Sequence, residues 1–332
     1  MCGGDTVMKG KNAVQVGDAI AAAWDSFRNP VAVGCDAKRF DQHTGREALK
    51  FEQRIYKAFF SGEDRERLSW LLGMQLQSSC FGYTPEGIVK FLFDIRASGD
   101  MNTGLGTCVI ACSMVYSFCH YEGIQFRLID NGDDCVIIVE SEDLHKLDGF
   151  HDFCLGLGYH MVMEDPVYDL EKIEFCQAHP VWDGCNYRMV RNFPVSFGKD
   201  MVSLLPMKAH EDWLRWANDI GTAGVALNSG IPVAQSMYDC LRRSGRGTFG
   251  NHPWLQDTGS SYLARGLKSK TRAITSRSRY SFWLAFGLPP ADQENLESLY
   301  DAQVFTFVQD LKGYNIDFAA KPLHSFYNTL LG

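Results

Sequence analysis

Hydrophobic and polar positions predict a strand, a turn and a helix in the first part of the chain. The apolar, β-rich run at residues 31–35 predicts a strand that ends at Asp36. Beyond it, apolar side chains recur at helical spacing at Ala48, Phe51, Ile55 and Phe59. Thr44 and Glu47 have the spacing of a capping box, so we expect the helix to begin there.

The middle of the chain predicts a buried helix followed by a hairpin. Residues 104–119 are apolar on nearly every side, which is typical of a helix with no exposed face. Two β-rich runs within residues 126–139 flank the pair Asn131–Gly132, and Asn-Gly between such runs indicates a tight turn. This turn would expose Asp133–Asp134 at the point where the chain reverses.

The later residues are predicted to be mainly helical. Residues 142–157 favour a helix, whereas residues 171–178 and 186–190 form a second β-rich pair. After about residue 200, apolar and aromatic positions at helical spacing include Trp213, Leu214, Trp216, Leu296, Tyr300 and Val304. The fold class expected is therefore α+β, with a domain junction near residues 192–200.

Composition limits the classes of protein that fit. The 332 residues are 45% hydrophobic and 22% charged, which is enough apolar material for a core and argues against disorder. The net charge of −8 argues weakly against nucleic-acid binding, although a local basic groove would remain compatible with it. Eleven cysteines without a CxxC pair favour reduced thiols in a cytosolic protein. The apolar stretch 105–119 is short for a membrane span, so no transmembrane segment is expected.

Three carboxylates are the strongest candidates for chemistry. Asp36 ends a predicted strand, and Asp133 and Asp134 lie at a predicted hairpin. Carboxylates delivered from separate strands can hold two divalent ions, and two ions can support phosphoryl transfer. The hard oxygen ligands favour Mg²⁺, with Mn²⁺ as a substitute, and the expected ligands are Asp36 and Asp133 with Asp134 in a weaker or electrostatic role.

The order of the motifs resembles the RNA-dependent RNA polymerases of plus-strand RNA viruses, and most closely the tombusvirus-like group. The matching segments are DAKRFDQH, SGDMNT, NGDD, LEKIEFCQ, RMVRN and SFWLAFGLPPADQENLE, which begin at residues 36, 98, 131, 170, 188 and 281. DxxxxD alone is a weak signal. DxxxxD followed by SGxxxT and then by GDD, in this order, is a strong one.

The resemblance implies roles for individual residues. Asp36 and Asp41 belong to motif A, in which the second carboxylate senses the ribose hydroxyls. Ser98, Gly99 and Thr103 match motif B, which handles the template and the nucleotide sugar. The resemblance also places Gly132, Asp133 and Asp134 in motif C, and Phe175, Cys176 and Gln177 in motif E, which supports the primer end.

Two positions depart from the family pattern or lack a clear match. Thr107 stands where the family usually has Asn, and a threonine has one hydrogen-bond donor fewer. The usual pair of Asp41 and Asn, which selects ribose over deoxyribose, is therefore incomplete here. The general acid that would protonate pyrophosphate matches no motif sharply. His160 is the candidate, and Lys172 is a further basic residue in that region.

The basic residues that could contact RNA lie late in the sequence. The family has basic fingers before motif A, whereas about 35 residues precede Asp36 here, so we expect a chain that lacks the N-terminal fingers. A run without acidic residues contains Lys268, Lys270, Arg272, Arg277 and Arg279, with aromatic residues nearby. Basic side chains next to aromatic rings suit single-stranded or product RNA, and a solvated charged face is the simpler alternative.

Structural explanations compete with the catalytic one. An Asp at a strand end is usually a turn residue, and Asp41 could pair with Lys38 or Arg39 on the surface. The ordered set of motifs makes these explanations less favourable for Asp36 and Asp133. Cys108 and Cys112 are one helical turn apart, and core packing is a better explanation for them than a zinc site.

The resemblance implies an α+β polymerase palm followed by a mainly helical thumb. The expected divisions are residues 1–30 as a remnant of fingers or a linker, 31–195 as the palm and 196–332 as the thumb. The expected function is RNA-templated nucleotidyl transfer to an RNA 3′ end in viral genome replication, with nucleoside triphosphates, template and product RNA as partners. A viral replication protein would supply membrane attachment at replication sites in the host cytoplasm. The alternative is a non-catalytic palm–thumb fragment that binds RNA or another polymerase segment.

Overall fold

The computed structural model describes residues 5–76, 79–92, 95–203, 207, 209–250, 255 and 263–306. Within these residues the α-helices are α1 Ala13–Trp24, α2 Phe40–His43, α3 Arg46–Ala58, α4 Gly62–Met74, α5 Thr103–Tyr121, α6 Phe150–Gly156, α7 Phe193–Asp200, α8 His210–Asn228, α9 Ala234–Ser244, α10 Ser276–Phe286 and α11 Pro290–Ala302. Short 3₁₀ helices cover Ser141–Gly149 and Leu170–Lys172. The last part of the expected thumb, residues 307–332, lies outside the described residues.

All the strands of the described residues pair in antiparallel sheets. They are β1 Pro30–Ala37, β2 Ser79–Thr84, β3 Gly87–Leu92, β4 Phe126–Asp130, β5 Asp134–Glu140, β6 Met161–Met163, β7 Ala178–Trp182 and β8 Tyr187–Arg191. A four-stranded sheet has the order β4-β5-β1-β6, and β2-β3 and β7-β8 form two hairpins. The expected α+β class is therefore confirmed, as is the strand, turn and helix order at the first motif.

The chain divides into two compact units. One contains the described residues among 1–9 and 23–168, and the other contains those among 10–22 and 169–332. The four-stranded sheet belongs to the first unit, where β1 and β5 carry almost continuous buried apolar residues. Helix α5 covers this sheet, because Ile110, Ala111, Met114 and Val115 pack in one core with Val33 and Ile137 of the strands.

The apolar helix α5 has 19 residues, which is longer than the stretch predicted from the sequence. Its length and hydropathy would allow it to cross a membrane, and half of the relevant window is buried inside the protein. Core helices pass the same composition test. The packing of α5 against the sheet accounts for its apolar character without a membrane.

Two local expectations were wrong. Helix α3 begins at Arg46 with Gly45 before it, and the Thr44 hydroxyl donates to the carbonyl oxygen of Phe40 at 3.1 Å instead of capping α3. The predicted strand at 171–178 is also displaced, since the strand begins at Ala178. A 3₁₀ turn and a tight reversal occupy the residues before it. The β-rich composition located the region of the hairpin, whereas the reversal at Cys176 and Gln177 determines that strand pairing begins at Ala178.

The second unit combines the β7–β8 hairpin with helices. Val181 and Val190 of the hairpin pack with Phe282 of α10, Ile231 and Ala234. Helices α8 and α9 form a second cluster, which includes Trp213, Trp216, Ile220 and Leu241. The prediction of mainly helical structure after residue 200 is confirmed for the described residues.

Candidate active site

Strand pairing brings the motif A and motif C carboxylates together. Asp36 of β1 is directly opposite Asp134 of β5, and the Ala37 amide donates to the carbonyl oxygen of Asp133 at 3.1 Å. Residues directly opposite in an antiparallel pair project from the same face of the sheet. The neighbouring pair, Cys35 and Cys135, is buried in the core, whereas Asp36 is exposed. The alternation of the strands therefore turns Asp36 and Asp134 away from the core.

The predicted motif C turn connects β4 to β5. The Asn131 amide donates to the carbonyl oxygen of Asp134 at 3.0 Å, which closes the turn. Gly132 has a φ of +105°, a conformation that side chains rarely adopt. A Cβ atom at Gly132 would also lie 3.1 Å from Cγ2 of Thr107. Glycine is thus required both by the backbone conformation and by the approach of α5, and Asp133 follows it in an exposed position.

A buried network holds the motif B loop. Arg96 and Glu52 form an ion pair whose side chains are fully buried, and Arg96 Nη1 donates to the carbonyl oxygen of Thr103 at 3.0 Å. Asn102 donates to Glu52 Oε1 at 3.1 Å. Burial raises the pKa of Glu52, and Arg96 opposes that increase. A Cβ atom at Gly106 would collide with both charged side chains, so the ion pair requires a glycine in α5.

The two motif B threonines use their hydroxyl protons within the protein. Thr103 Oγ1 donates to the carbonyl oxygen of Ala97 at 3.0 Å, and Thr107 Oγ1 donates to that of Thr103 at 2.6 Å. Each hydroxyl oxygen can still accept a hydrogen bond. In this arrangement Thr107 therefore does not present the donor that the usual asparagine amide would supply.

These segments meet at a cleft of about 330 Å³ in the first unit. The lining combines Asp41 of motif A, Ser98, Thr103 and Thr107 of motif B, and Asp133 of motif C with Lys9, Arg39, Phe40, Gln42, Gly104 and Asn131. Asp41 forms no ion pair with Lys38 or Arg39 within the part of the chain that the structure describes. Residues from three motifs that are far apart in the sequence thus share one concave surface.

The other predicted site residues lie outside this lining. Asp36 and Asp134 are neighbours of Asp133 through strand pairing and through the chain, and Gly99 is exposed in the motif B loop. His160 is also exposed. Its carbonyl oxygen accepts from the Lys38 amide at 3.1 Å, and its ring meets that of His151 with 5.3 Å between centroids.

The carboxylates suit a partly hydrated divalent ion. Among the described residues no group of three or more His, Cys, Asp or Glu side chains is arranged to hold a metal ion. Mg²⁺ is commonly held by one or two carboxylates, while waters and substrate phosphates complete its shell. The facing pair Asp36 and Asp134, with exposed Asp133 beside it, has the oxygen donors for this open type of site.

A buried acid that the sequence did not single out lies under the same turn. Asp130, at the end of β4, is fully buried, and burial raises its pKa to about 6. The nearby thiols of Cys108 and Cys112, the Gly132 amide and the Lys9 ammonium oppose that increase. Burial and the adjacent Asp130 raise the pKa of the Cys108 thiol to about 12, which agrees with a packed and unreactive cysteine.

Motif E forms a strained turn in the second unit. Phe175 and Ala178 exchange backbone hydrogen bonds of 2.9 and 3.1 Å around Cys176 and Gln177, whose φ angles are +52° and +57°. Asn and Gly usually occupy such positions, and left-handed conformations at other residues cost about 1–3 kcal/mol each. Both residues line a cleft of about 410 Å³ with Glu174, Arg191, Asn192, Val195, Ser196 and Lys199.

In the basic run 265–279, three arginines contact an acidic or aromatic side chain, and two of them, Arg272 and Arg277, are nevertheless exposed. Arg272 Nη1 lies 3.4 Å from Asp183 Oδ2, and Arg279 Nη2 lies 2.8 Å from Glu297 Oε2. The Arg277 guanidinium carbon lies 3.8 Å from the centre of the Trp182 ring. Lys268 and Lys270 are exposed. The backbone is tied down, because Ser229 and Gln235 donate to the carbonyl oxygens of Lys270 and Arg272 at 2.6 and 3.0 Å.

Comparison with known proteins agrees with the motifs. The family described as viral RNA dependent RNA polymerase matches residues 1–306. The RNA-directed RNA polymerase of Tobacco necrosis virus (strain A) is 40% identical over 299 residues, which are 89% of this chain and 41% of that protein. That of Turnip crinkle virus is 35% identical over 337 residues, covering 100% of this chain and 43% of the relative.

A further relative has a similar extent of overlap. The RNA-directed RNA polymerase of Melon necrotic spot virus is 41% identical over 306 residues, or 90% of this chain and 38% of that protein. The chain thus spans about two fifths of the length of the curated relatives that it matches. The family match extends over almost the entire chain, and segments of motifs A, B and C line one cleft of the first unit. The chain therefore belongs to the viral RNA-dependent RNA polymerase family.

Proposed function

We propose that this chain carries the catalytic centre for RNA-templated RNA synthesis. The observation that supports this most strongly is the single cleft formed by Asp41, Ser98, Thr103, Thr107 and Asp133. The substrates are a nucleoside triphosphate and an RNA 3′ end paired to an RNA template. Asp36, Asp133 and Asp134 would hold Mg²⁺ or Mn²⁺. When two such ions are bound, they stabilise charge on the attacking and leaving oxygens.

The reaction joins the RNA 3′ oxygen to the α-phosphorus and breaks the bond from that phosphorus to pyrophosphate. The hydroxyl proton passes to water as the new bond forms, and pyrophosphate takes up a proton on departure. His160 is the proposed general acid. Asp41 is proposed to accept hydrogen bonds from the ribose, while Ser98 and Gly99 handle the template and sugar. Thr103 and Thr107 line the same cleft, and their hydroxyl oxygens can each still accept a hydrogen bond.

The wider assignment follows the family. Residues 31–195 are the proposed palm, 196–332 the thumb, and 1–30 a remnant of fingers or a linker. The exposed Lys268 and Lys270 are the proposed contacts to RNA in the thumb, with smaller contributions from Arg272, Arg277 and Arg279. Replication of a viral genome would take place in the host cytoplasm at membranes, with attachment supplied by a viral replication protein.

A non-catalytic fragment is the second candidate. Two observations favour it: the chain spans about two fifths of its relatives, and the β2–β3 hairpin exposes apolar side chains. Phe81, Tyr83 and Ile88 of this hairpin are 58%, 82% and 65% exposed. Because a two-stranded hairpin that packs on nothing is only marginally stable in water, these side chains favour a covering partner. Another polymerase segment could cover this hairpin, and the chain would then bind it or RNA without turnover.

The test is incorporation of a labelled nucleotide by the purified chain on an RNA template with Mg²⁺ or Mn²⁺. Asp133→Ala is expected to abolish incorporation, because it removes an exposed carboxylate from the cleft. Asp152→Ala, at an exposed position of α6, is the matched control and should retain it. Equal incorporation by the Asp133 variant would contradict the site. No incorporation by any folded variant would favour the fragment.

A further inference from the structure

The segment before α1 joins the edge of the four-stranded sheet that carries Asp36 and Asp134. Val7 forms a parallel bridge with Asp130 at the end of β4. The Met8 amide donates to the carbonyl oxygen of Asp130 at 2.8 Å, and the Asp130 amide donates to that of Thr6 at 2.9 Å. Met8 is buried. These backbone bonds fix the next residue, Lys9, beside the motif C turn.

The Lys9 ammonium is bonded to that turn. Its Nζ donates to the carbonyl oxygen of Asn131 at 2.8 Å and to Asn131 Oδ1 at 3.1 Å. A Cβ atom on Gly132 would be 4.0 Å from the ammonium and 3.1 Å from Cγ2 of Thr107. The tip of the turn is thus enclosed between Lys9 on one side and α5 on the other. The turn supplies Asp133 directly to the cleft.

Lys9 also provides positive charge where acids are concentrated. It lines the cleft with Asp41 and Asp133, and it lowers the pKa of the buried Asp130 against the effect of burial. Charge-assisted hydrogen bonds are stronger than neutral ones, so two such bonds from one ammonium restrain Asn131 effectively. Groups that orient the ligands of a metal ion affect its binding without touching it.

We propose that Lys9 is a positioning residue of the catalytic centre, which holds the Asn131–Gly132 turn so that Asp133 is oriented to bind a divalent ion. This rests on the proposed function for the identity of the ion. Lys9 acts through Asn131 and does not need to contact substrate. The consequence is a direct effect of Lys9 on metal affinity as well as on nucleotide incorporation.

The experiment measures Mn²⁺ binding to the purified chain by the electron paramagnetic resonance signal of free Mn²⁺, and incorporation over a series of Mn²⁺ concentrations. Lys9→Met keeps the length of the side chain and removes both hydrogen bonds. Mn²⁺ affinity and incorporation at limiting Mn²⁺ are each expected to fall about 10–100-fold, the usual effect of removing a group that orients a ligand. Lys9→Arg retains donors and should remain within about threefold of the unaltered chain.

Lys50→Met is the matched control, because Lys50 is a surface residue paired with Glu47 and absent from the cleft lining. It should bind Mn²⁺ normally. Lys9→Gln replaces Lys9→Met if the latter does not fold by circular dichroism. Unchanged Mn²⁺ affinity in the folded Lys9 variant would overturn the proposal, even if incorporation fell, since Lys9 would then act on nucleotide or RNA.

Failure of the proposed function would be distinguishable from failure of this inference. If the unaltered chain binds Mn²⁺ without incorporating nucleotide, polymerase activity of the chain alone is excluded, and a weakened Lys9→Met still supports the positioning role. If the unaltered chain binds no Mn²⁺, both are overturned.

Discussion

Lys9 and the basic run at 265–279 are two sources of positive charge whose partners differ. Lys9 lies two positions from Lys11 in a short segment that the sequence did not mark as functional, yet it bonds to the motif C turn. The run looked like an RNA track, yet Arg272, Arg277 and Arg279 are engaged with Asp183, Trp182 and Glu297. The difference shows that the partner of a cation, more than the local density of cations, indicates its role.

The first prediction concerns Asp130, the buried acid near Lys9, and the pH dependence of protein stability that it causes. The pKa of Asp130 in the folded protein, about 6, is above its ordinary value of 3.8 because the side chain is buried. The fold therefore favours the protonated acid, and this contribution to stability is present at low pH and lost as the pH rises through about 6. Asp130→Asn removes the charge, so its stability advantage over the unaltered chain should grow by about 2 kcal/mol between about pH 4 and pH 7.

Urea unfolding at a series of pH values measures this difference. Asp152→Asn, at an exposed position, should show no comparable trend. A difference between Asp130→Asn and the unaltered chain that stays constant with pH would mean that Asp130 is not held in a desolvated site.

The second prediction concerns Arg279 as a structural member of the basic run. Its side chain is 17% exposed and that of Glu297 is 11% exposed. Glu297 also accepts from the amide of Val233, whose φ of +61° is rare for a β-branched residue. Arg279→Met is expected to lower the free energy of unfolding by about 2 kcal/mol, because it removes charged hydrogen bonds to a mostly buried partner.

Lys268→Met is the control for Arg279→Met, and it should change stability by less than about 0.5 kcal/mol because the side chain is exposed. Both values come from urea unfolding at one pH. Equal stability of the two variants would remove the distinction between paired and exposed cations within the run.

The third and smallest expected effect is on RNA affinity. Lys268→Ala with Lys270→Ala should weaken binding of single-stranded RNA about fivefold at about 0.1 M salt. The slope of log affinity against log salt should become less negative by about 0.7 for each phosphate that the variant no longer neutralises. Fluorescence anisotropy at several salt concentrations measures both quantities. An unchanged slope would show that these lysines form a solvated face.

The sequence predicted the parts of this site that depend on local chemistry. The β1 strand that carries Asp36, the Asn131–Gly132 hairpin and the long apolar helix could be predicted because periodicity and turn residues determine them, although β1 ends at Ala37, one residue later than predicted. The ordered motifs also identified most of the residues that line the cleft.

The remaining features depend on interactions between distant residues. Glu52 lies within a helix that the sequence predicts, but nothing near it in the sequence indicates its buried ion pair with Arg96, which is 44 positions away. Lys9 is 122 positions from Asn131. The motif E turn has Cys176 and Gln177 at positions where Asn and Gly are usual, so the sequence gave no sign of a turn there. The start of strand β7 was therefore predicted too early. Tertiary packing selects all three features, and no local pattern encodes them.

The most direct test of the account is anomalous X-ray diffraction from crystals of the chain grown with Mn²⁺ and a nucleoside triphosphate. We expect manganese peaks in contact with carboxylate oxygens of Asp36 and Asp133, with Lys9 still bonded to Asn131 and the triphosphate in the adjacent cleft. Manganese bound only elsewhere, or a triphosphate bound outside the cleft of Asp41 and Thr103, would contradict the assignment of this cleft as the catalytic centre.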